Sequence, residues 1–283
     1  MQVANSKEHI RDIILNLRKN DTSIGFVPTM GALHKGHLSL IKKALQENDV
    51  VFVSIFVNPT QFDNKKDLKN YPRTLDRDVE LLKTVSDFKI FVFAPTVEDI
   101  YGKHPKAKRF DFDGLENEME GEFRDGHFDG VGTIVKSLFE IITPDRAYFG
   151  EKDFQQLQII RKLVDKNNLL VKIVGCKIHR ETTGLAMSSR NKRLLPEYKK
   201  AAPFIFRTLQ EAKKKFGTKS ATKVTEWVKK QFEKNQLLEL EYFIIADIET
   251  LKPVKRKSQS KKYRAFIAVY AGEIRLIDNI VLN

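Results

Sequence analysis

Short apolar runs alternate with amphipathic stretches through the first two-thirds of the chain. Five mostly apolar runs lie at residues 24–27, 50–57, 90–94, 147–149 and 171–174. Nearly continuous apolar runs of this length are typical of strands that are buried on both faces of a parallel sheet. The runs therefore predict five parallel strands in this part of the chain.

Amphipathic stretches lie between these runs, with apolar residues three or four positions apart, which places the apolar side chains on one face of a helix. The four apolar stripes are Leu38, Ile41 and Leu45; Leu75, Val79 and Leu82; Val131, Val135, Leu138 and Ile142; and Leu157, Ile160 and Val164. Thr74 is a candidate N-cap for the second helix. Strands that alternate with helices predict an α/β fold with a Rossmann-like open parallel sheet.

The pattern changes after about residue 184. Two stretches, 196–215 and 220–234, have the spacing of basic amphipathic helices. Three short strands are expected at 241–248, 263–270 and 273–278, and Ala271-Gly272 forms a tight turn between the last two. We therefore expect a larger Rossmann-like domain at 1–184 and a smaller α+β domain at 185–283.

The composition is typical of a soluble globular protein, because 41% of the residues are hydrophobic and 31% are charged. The longest apolar run, 50–57, is much shorter than the roughly 20 residues that a membrane-spanning helix needs. The N-terminal residues lack the pattern of a signal peptide. The single cysteine, Cys176, cannot form an internal disulfide and is expected to be a packed thiol. These features predict a cytoplasmic protein without a membrane partner.

The net charge of +13 is concentrated near the end of the chain. Residues 199–283 contain 19 Lys and Arg against 9 Asp and Glu, which gives +10 of that total. A basic surface attracts nucleic acids, but it also attracts small anions such as ATP. The sign of the charge alone does not choose between these partners.

The segment that joins the first strand to the first helix has the strongest chemical signal. It reads Val27-Pro28-Thr29-Met30-Gly31-Ala32-Leu33-His34-Lys35-Gly36-His37-Leu38. An open α/β sheet binds phosphate at this position, because the N–H groups at the start of the helix face the strand ends. His34 and His37 lie three residues apart and share one side of the first helical turn. Their imidazoles can stabilise the charge that develops as pyrophosphate leaves a nucleotide.

Three other interpretations of this segment remain open. Gly31 and Gly36 have the spacing of a P-loop, but His37-Leu38 replaces the Lys-Ser/Thr pair that a P-loop needs. The two histidines could bind a metal ion, although no third ligand is close in sequence. They could also be solvated surface residues.

A second strand-to-helix turn contains Gly150, Lys152 and Asp153. Gly150 allows a ligand to approach the backbone closely, and Lys152 can pair with a phosphate. Asp153 can bind a ribose hydroxyl or Mg²⁺, or cap the helix. An ordinary capped turn with a solvated lysine is the alternative.

A third loop contains Ser188, Ser189 and Arg190 in succession. Two hydroxyls and a guanidinium can hold a triphosphate. A polar loop before a helix is the alternative, and the absence of a Gly-x-Ser-x-Gly turn argues against a serine nucleophile.

Polar residues also follow the second strand and begin the next helix. Gln61 can exchange hydrogen bonds with a hydroxy acid at the edge of the sheet. Asp76 and Asp78 complement the helix dipole, and one of them could bind Mg²⁺. The Gly130-x-Gly132 pair lacks the third glycine of a dinucleotide-binding loop and does not follow a strand, so it is not expected to bind a cofactor.

Five segments resemble the signature blocks of the pantothenate synthetase (pantoate–β-alanine ligase) family, in the same order. They are Pro28-Thr29-Met30-Gly31-Ala32-Leu33-His34-Lys35-Gly36-His37, Phe56-Val57-Asn58-Pro59-Thr60-Gln61-Phe62, Glu120-Gly121-Glu122-Phe123-Arg124-Asp125-Gly126-His127-Phe128-Asp129-Gly130-Val131, Phe149-Gly150-Glu151-Lys152-Asp153-Phe154-Gln155-Gln156 and Met187-Ser188-Ser189-Arg190-Asn191. The chain departs from the usual family pattern at Thr183, where Asp is more frequent, and at Cys176-Lys177, where Val-Pro is usual.

The resemblance implies a reaction in two steps that requires Mg²⁺. ATP and pantoate would give pantoyl-adenylate and pyrophosphate, and the amine of β-alanine would then release AMP and pantothenate. It also implies a Rossmann-like domain with a smaller C-terminal lid, and a homodimer. The alternatives are a nucleotidyltransferase, which shares the His-x-x-His helix start, and a basic module that binds RNA or DNA.

The resemblance also implies roles for individual residues. Catalysis would depend on His34, His37 and Lys152, with His37 at the position usually described as the proton donor. Gln61 and Gln156 would bind pantoate, Gln61 would also contact β-alanine, and Asp78 would bind Mg²⁺. The ATP site would be lined by Met30, Gly31, Ala32, Leu33, His34, Lys35, Gly36, His37, Gly150, Glu151, Lys152, Asp153, His179, Met187, Ser188, Ser189 and Arg190.

Overall fold

The computed structural model describes residues 1–62 and 65–283. These residues form two compact units, each made from more than one stretch of chain. The first unit contains Met1–Glu151 and Gln155–Lys177, and the second contains Lys152–Phe154 and Ile178–Asn283. The division into functional domains at 1–184 and 185–283 stays a prediction.

The first unit alternates strands and helices. Its elements are β1 (Gln2–Ala4), α1 (Lys7–Arg18), β2 (Ile24–Thr29), α2 (Lys35–Glu47), β3 (Val50–Ile55), α3 (Lys65–Asn70), α4 (Leu75–Lys83), β4 (Ile90–Phe93), α5 (Val97–Tyr101), α6 (Glu120–Phe123), α7 (His127–Ile142), β5 (Arg146–Gly150), α8 (Phe154–Lys166) and β6 (Lys172–Cys176). All five predicted strands and all four predicted helices are present.

The six strands of this unit form one parallel sheet in the order β1-β4-β3-β2-β5-β6. From β2 the chain moves outward through β3 and β4 on one side, whereas β5 and β6 lie on the other side. The order reverses between β2 and β5, and ligands of open α/β sheets bind at the carboxyl ends of the strands at such a point. The predicted α/β fold is confirmed.

The sheet interior is apolar on both faces, as the continuous apolar runs predicted. Phe26, Phe52, Val53 and Val92 are all fully buried. Cys176, at the end of β6, is 5% exposed, and burial raises the pKa of its thiol to about 11. It is therefore a packed, neutral thiol, as expected.

The edge strand β1 was not predicted. It has three residues, and it pairs on one side only, with Val3 opposite Val92 of β4. A strand so short has too few positions for an apolar period, and of its three residues only Ala4 is fully buried. Pairing with β4 thus determines the structure of this segment.

The second unit is an α+β structure. Its main elements are α9 (Pro196–Ala201), α10 (Pro203–Thr218), α11 (Ala221–Glu233), β7 (Leu238–Asp247), β8 (Tyr263–Ala271) and β9 (Ile274–Val281). The three strands form an antiparallel sheet in the order β7-β8-β9, and α10 and α11 pack on it through an apolar core.

The single helix predicted at 196–215 is instead divided into α9 and α10. Pro203 occupies the first position of α10, where its missing N–H costs nothing. The proline fits a helix start better than a helix interior, where it would remove a hydrogen bond and clash with the preceding turn.

None of the helices that the structure describes is both long enough and apolar enough to cross a bilayer.

Gly130 allows α7 to contact the 3-10 turn Pro59–Gln61, which follows β3. A Cβ atom at Gly130 would lie 2.3 Å from the carbonyl oxygen of Thr60 and 2.7 Å from Cα of Gln61. Asn58 Nδ2 also donates to the Gly130 carbonyl, at 3.1 Å. This glycine therefore serves the packing of the helix against the turn.

The variant Gly130→Ala should lower the free energy of unfolding by about 1–3 kcal/mol, because the added methyl meets backbone atoms that cannot rotate away. Gly217→Ala is the matched control, since Gly217 lies in α10 and a Cβ there meets nothing within 4 Å. That change should stabilise the protein by about 0.5–1 kcal/mol. Urea unfolding of both variants measures the difference, and equal effects would contradict the packing role of Gly130.

Candidate active site

The first turn of α2 is held by two histidines that cap each other. His34 is the N-cap residue, and its Nδ1 accepts the backbone N–H of Gly36 at 3.1 Å. The Nδ1 atom of His37 accepts the backbone N–H of His34 at 3.3 Å. This is a capping box in which imidazoles take the places usually filled by Ser or Thr and by Glu or Gln.

The capping bonds determine where each imidazole holds its proton. A neutral imidazole has one donor nitrogen and one acceptor nitrogen. Since Nδ1 accepts in both rings, the neutral rings of His34 and His37 carry their protons on Nε2. The two rings are stacked, with centroids 4.0 Å apart. The helix start therefore positions two stacked rings whose Nε2–H groups are donors.

The loop before α2 contains two consecutive residues with left-handed backbone. Gly31 has φ +80° and Ala32 has φ +52°. A Cβ on Gly31 would approach Ile55 Cγ2 at 3.0 Å and Asp78 Oδ2 at 3.1 Å. Left-handed geometry in a residue such as Ala32 costs about 1–3 kcal/mol and persists only where the surroundings enforce it.

Asp78 supplies that constraint. It is 1% exposed, its Oδ2 accepts the N–H of Ala32 at 2.8 Å, and its Oδ1 accepts the N–H of Leu33 at 2.7 Å. Thr74, the predicted N-cap of α4, occupies that position, but its hydroxyl donates to Asp78 Oδ2 at 3.1 Å and makes no capping bond. Asp76, in contrast, is exposed.

These hydrogen bonds favour a loop-anchoring role for Asp78 over the predicted Mg²⁺-binding role, because both carboxylate oxygens already accept backbone N–H groups. Among residues 1–62 and 65–283, no group of three His, Cys, Asp or Glu side chains is arranged to hold a metal ion. The magnesium ligand predicted at Asp78 stays a prediction.

Gln61 lies at the carboxyl edge of the sheet and has a fixed amide orientation. Asn58 Nδ2 donates to its Oε1 at 3.1 Å, and its own Nε2 lies 2.9 Å from Met30 Sδ. The structure thus brings together Gln61 and Met30, two of the residues predicted for pantoate and ATP.

The sequence did not reveal the two side chains that hold the Gln61 backbone. The buried ring of His127 donates from Nδ1 to the carbonyl oxygen of Gln61 at 2.8 Å, and Arg124 Nη2 donates to the same oxygen at 3.4 Å. Arg124 Nη1 lies 3.0 Å from His127 Nε2. The guanidinium must donate in that contact, so the imidazole accepts at Nε2 and carries its proton on Nδ1.

The role of Gln155 was also missed. It is 4% exposed, its Oε1 accepts the N–H of Glu120 at 3.0 Å, and its Nε2 donates to the carbonyls of Leu115 and Glu118 at 2.8 and 2.6 Å. Gln155 therefore anchors the 115–120 segment, while the predicted pantoate ligand Gln156 is half-buried in the first turn of α8.

The predicted residues around β5 are divided between the two units. Gly150 and Glu151 belong to the first unit, whereas Lys152 and Asp153 belong to the second. The Lys152 ammonium lies 3.8 Å from the Asp153 carboxylate, and its side chain is 19% exposed. A lysine so enclosed is not the solvated residue of an ordinary turn.

The second unit also contains a folded loop with the remaining predicted residues. The N–H of Met187 donates to the carbonyl of His179 at 3.0 Å. Ser188 caps the 3-10 turn Ser189–Arg193 by accepting the N–H of Arg190 at 3.2 Å. Asn191, 5% exposed, donates to the Ala186 carbonyl at 3.0 Å. The Ser-Ser-Arg segment is thus part of an ordered turn.

A helix start with two imidazoles, at the point where the strand order of a parallel sheet reverses, is typical of a nucleotide-dependent α/β enzyme. The chain belongs to the pantoate–β-alanine ligase family, whose model matches residues 2–281. The family membership that the five sequence segments predicted is therefore confirmed.

Relatives and solved structures agree with this assignment. A pantothenate synthetase from Christiangramia forsetii is 60% identical over 284 residues and covers 100% of both chains. The crystal structure of pantothenate synthetase from Thermus thermophilus has a TM-score of 0.91 and 37% identity, with 100% of this chain and 99% of that chain covered. The pantoate–β-alanine ligase from Francisella tularensis, complexed with βγ-ATP and β-alanine, has a TM-score of 0.81 and 36% identity, covering 100% and 98%.

The variant Asp78→Asn should destabilise the protein by about 2–3 kcal/mol, because an amide can accept only one of the two backbone N–H groups. The loop before α2 should also lose its left-handed geometry. We expect the KM for ATP to rise by about tenfold or more, since small displacements at a binding site have large effects.

Asp247→Asn is the matched control for this change. Asp247 is also buried, at 4% exposed, and its Oδ1 accepts the N–H groups of Glu249 and Thr250 at 2.9 and 3.1 Å. It should lower stability and leave the KM for ATP unchanged. A KM for Asp78→Asn equal to that of the control would show that the anchor has no specific effect on the nucleotide.

Proposed function

We propose that this enzyme condenses pantoate with β-alanine to pantothenate, using ATP, through a pantoyl-adenylate intermediate. Family membership supports the ligation of these two substrates. The observation that supports an adenylate is the reciprocal capping of His34 and His37, because it fixes two imidazole rings at the N-terminal end of α2, where helices bind phosphate.

In the proposed first step, a carboxylate oxygen of pantoate attacks the α-phosphorus of ATP. The bond from that phosphorus to the bridging oxygen of the β-phosphate breaks, and pyrophosphate leaves. Negative charge grows on the phosphate oxygens as this bond breaks. Preorganised donors such as His34 Nε2–H and His37 Nε2–H lower the barrier by meeting that charge without reorganisation.

In the proposed second step, the neutral amine of β-alanine attacks the acyl carbon of pantoyl-adenylate. The amine loses a proton, the bond from the acyl carbon to the phosphate oxygen breaks, and AMP leaves with one oxygen that came from pantoate. The protein forms no covalent bond to substrate in this scheme and acts by positioning and charge stabilisation.

Pantoate would be held by the amides of Gln61 and Gln156, and Gln61 would also face β-alanine. The amide orientation of Gln61 is fixed by Asn58, which suits it to distinguish donors from acceptors on the substrate. Lys152, Ser188, Ser189 and Arg190 would contact the triphosphate. Lys and Arg side chains are suited to phosphate oxygens, since both are charged donors.

Mg²⁺ is proposed to accompany ATP. In sites that act on nucleotides this ion usually keeps several waters and binds the substrate phosphates, with few protein ligands. The part of the chain that the structure describes has no cluster of carboxylates for it, so the nucleotide itself would supply most of its ligands. The ion would neutralise charge on the phosphates. A cytoplasmic location and a homodimer remain further proposals.

The alternative of a nucleotidyltransferase shares the histidine-capped helix. Such an enzyme would transfer AMP to a phosphate and would need no amide groups for a hydroxy acid. The fixed amide of Gln61 at the sheet edge favours the ligase.

The adenylate is tested by exchange of radioactive pyrophosphate into ATP, with Mg²⁺ present and β-alanine omitted. Exchange should occur only when pantoate is added, because pyrophosphate can return to ATP only from an adenylate. In the complete reaction, pantoate labelled with ¹⁸O in its carboxylate should give AMP with one labelled oxygen. Pantothenate formation without either result would exclude the adenylate route.

The capping histidine provides a second test, because His37→Gln and His37→Ala separate hydrogen bonding from proton transfer. Glutamine suits this capping position and keeps an N–H donor, whereas alanine keeps neither. Pantoate-dependent exchange should fall by about 10²-fold or more in His37→Ala and by much less in His37→Gln. The exposed His9 of α1 gives the control His9→Gln. Equal losses in the two His37 variants would indicate that the imidazole must transfer a proton.

A further inference from the structure

Two adjacent polar residues lie buried in β9, the last strand of the second unit. Asp278 is 4% exposed and Asn279 is 2% exposed. Burying a carboxylate and an amide is unfavourable unless both are hydrogen-bonded. Two apolar residues at these positions would avoid the free-energy cost of removing polar groups from water. The hydrogen-bond partners of Asp278 and Asn279 therefore indicate the role of the pair.

Asp278 holds the loop that leads to the Ser-Ser-Arg segment. Arg180 forms a two-point ion pair with it, with Nη1 2.6 Å from Oδ2 and Nη2 2.9 Å from Oδ1. Arg180 Nη1 also donates to the carbonyl of Gly184 at 3.1 Å. The guanidinium carbon lies 3.7 Å from the centroid of the Phe206 ring. Burial raises the pKa of Asp278, and the charge of Arg180 opposes this by favouring the carboxylate.

The Arg180 loop continues directly into the residues proposed to contact phosphate. Arg180 pairs with Ala186 in an antiparallel bridge, and the N–H of Glu181 donates to the carbonyl of Leu185 at 2.8 Å. Asn191 Nδ2 donates to Glu181 Oε1 at 2.9 Å. These bonds close both ends of the segment that contains Ser188. The ion pair with Asp278 thus fixes the base of that segment.

Asn279 holds Lys152. Its Nδ2 donates to the backbone carbonyl of Lys152 at 2.9 Å, and its Oδ1 accepts from Nη1 of Arg264. The arginine can only donate, so the amide cannot be turned around. The guanidinium of Arg264 also lies over the ring of Phe154, with 4.0 Å from its central carbon to the ring centroid. The short stretch Lys152–Phe154 is therefore built into the second unit.

We propose that Asp278 and Asn279 are positioning residues for the nucleotide, with Asn279 setting the position of Lys152 and Asp278 setting that of the Ser188–Arg190 segment. This inference rests on the proposed phosphate-binding role of Lys152. The two side chains act through Lys152 and Arg180, and neither is proposed to contact substrate. Strand β9 thereby fixes the positions of both segments that are proposed to bind phosphate.

The test compares Asn279→Asp with Asn283→Asp. Asn283 has the same pattern of bonds, because its Oδ1 accepts the N–H of Tyr263 at 2.8 Å and its Nδ2 donates to the carbonyl of Lys261 at 2.9 Å. Both changes replace a donor to a lysine carbonyl by a carboxylate oxygen that repels it. Asn279→Asp should raise the KM for ATP or slow pantoate-dependent pyrophosphate exchange by about 10- to 100-fold, whereas Asn283→Asp should change neither. If the two variants have the same KM for ATP and the same exchange rate, at comparable thermal stability, the inference is overturned.

Lys152→Ala completes a double-mutant cycle. The cycle separates the positioning role of Asn279 from the proposed phosphate-binding role of Lys152. If Asn279 acts through Lys152, the variant that combines both changes should be hardly slower than Lys152→Ala alone. If the rate loss of the combined variant instead equals the product of the two single losses, Asn279 has a general structural role. If Lys152→Ala exchanges pyrophosphate at the normal rate, the proposed role of Lys152 is itself wrong. Should Asn279→Asp not fold, Asn279→Ala is used in the same cycle with the same expected non-additivity.

Discussion

Unpaired backbone N–H groups are the constraint on which the candidate site depends. A loop that approaches a phosphate with its backbone cannot satisfy those groups by helix or sheet bonds, so side chains must accept them. Asp78 does this for Ala32 and Leu33, and the two imidazoles do it for the first turn of α2. The left-handed geometry of Gly31 and Ala32 is stable only because these acceptors are in place.

The same principle organises the other proposed substrate-binding segments. The carbonyl of Gln61 receives donors from His127 and Arg124, the 115–120 segment is held by Gln155, and the carbonyl of Lys152 is held by Asn279. In each case a buried polar side chain fixes the backbone of a segment that lies in or beside the proposed site. The residues proposed to contact substrate and the residues that fix their geometry are therefore largely different.

Local patterns predicted much of the fold and a candidate location for the site. The apolar runs predicted five of the six strands of the parallel sheet, and the glycines and histidines between the first strand and the first helix predicted a phosphate-binding turn there. Both signals lie within a few residues of sequence. The anchors join distant residues instead: 46 positions separate Ala32 from Asp78, 66 separate Gln61 from His127, and 127 separate Lys152 from Asn279. An aspartate near a helix start indicates a dipole interaction from sequence alone, and only the folded chain shows which N–H groups it accepts.

The bond from Asn279 to Lys152 bears on how the enzyme is made. During synthesis the ribosome must add 127 residues after Lys152 before its partner exists, and the last strand must then join its sheet. A nascent chain that ends before β9 would lack the anchor of the lysine that is proposed to bind phosphate. On the proposal that Lys152 binds phosphate, the positioning of this lysine is thus completed only when the chain is nearly finished.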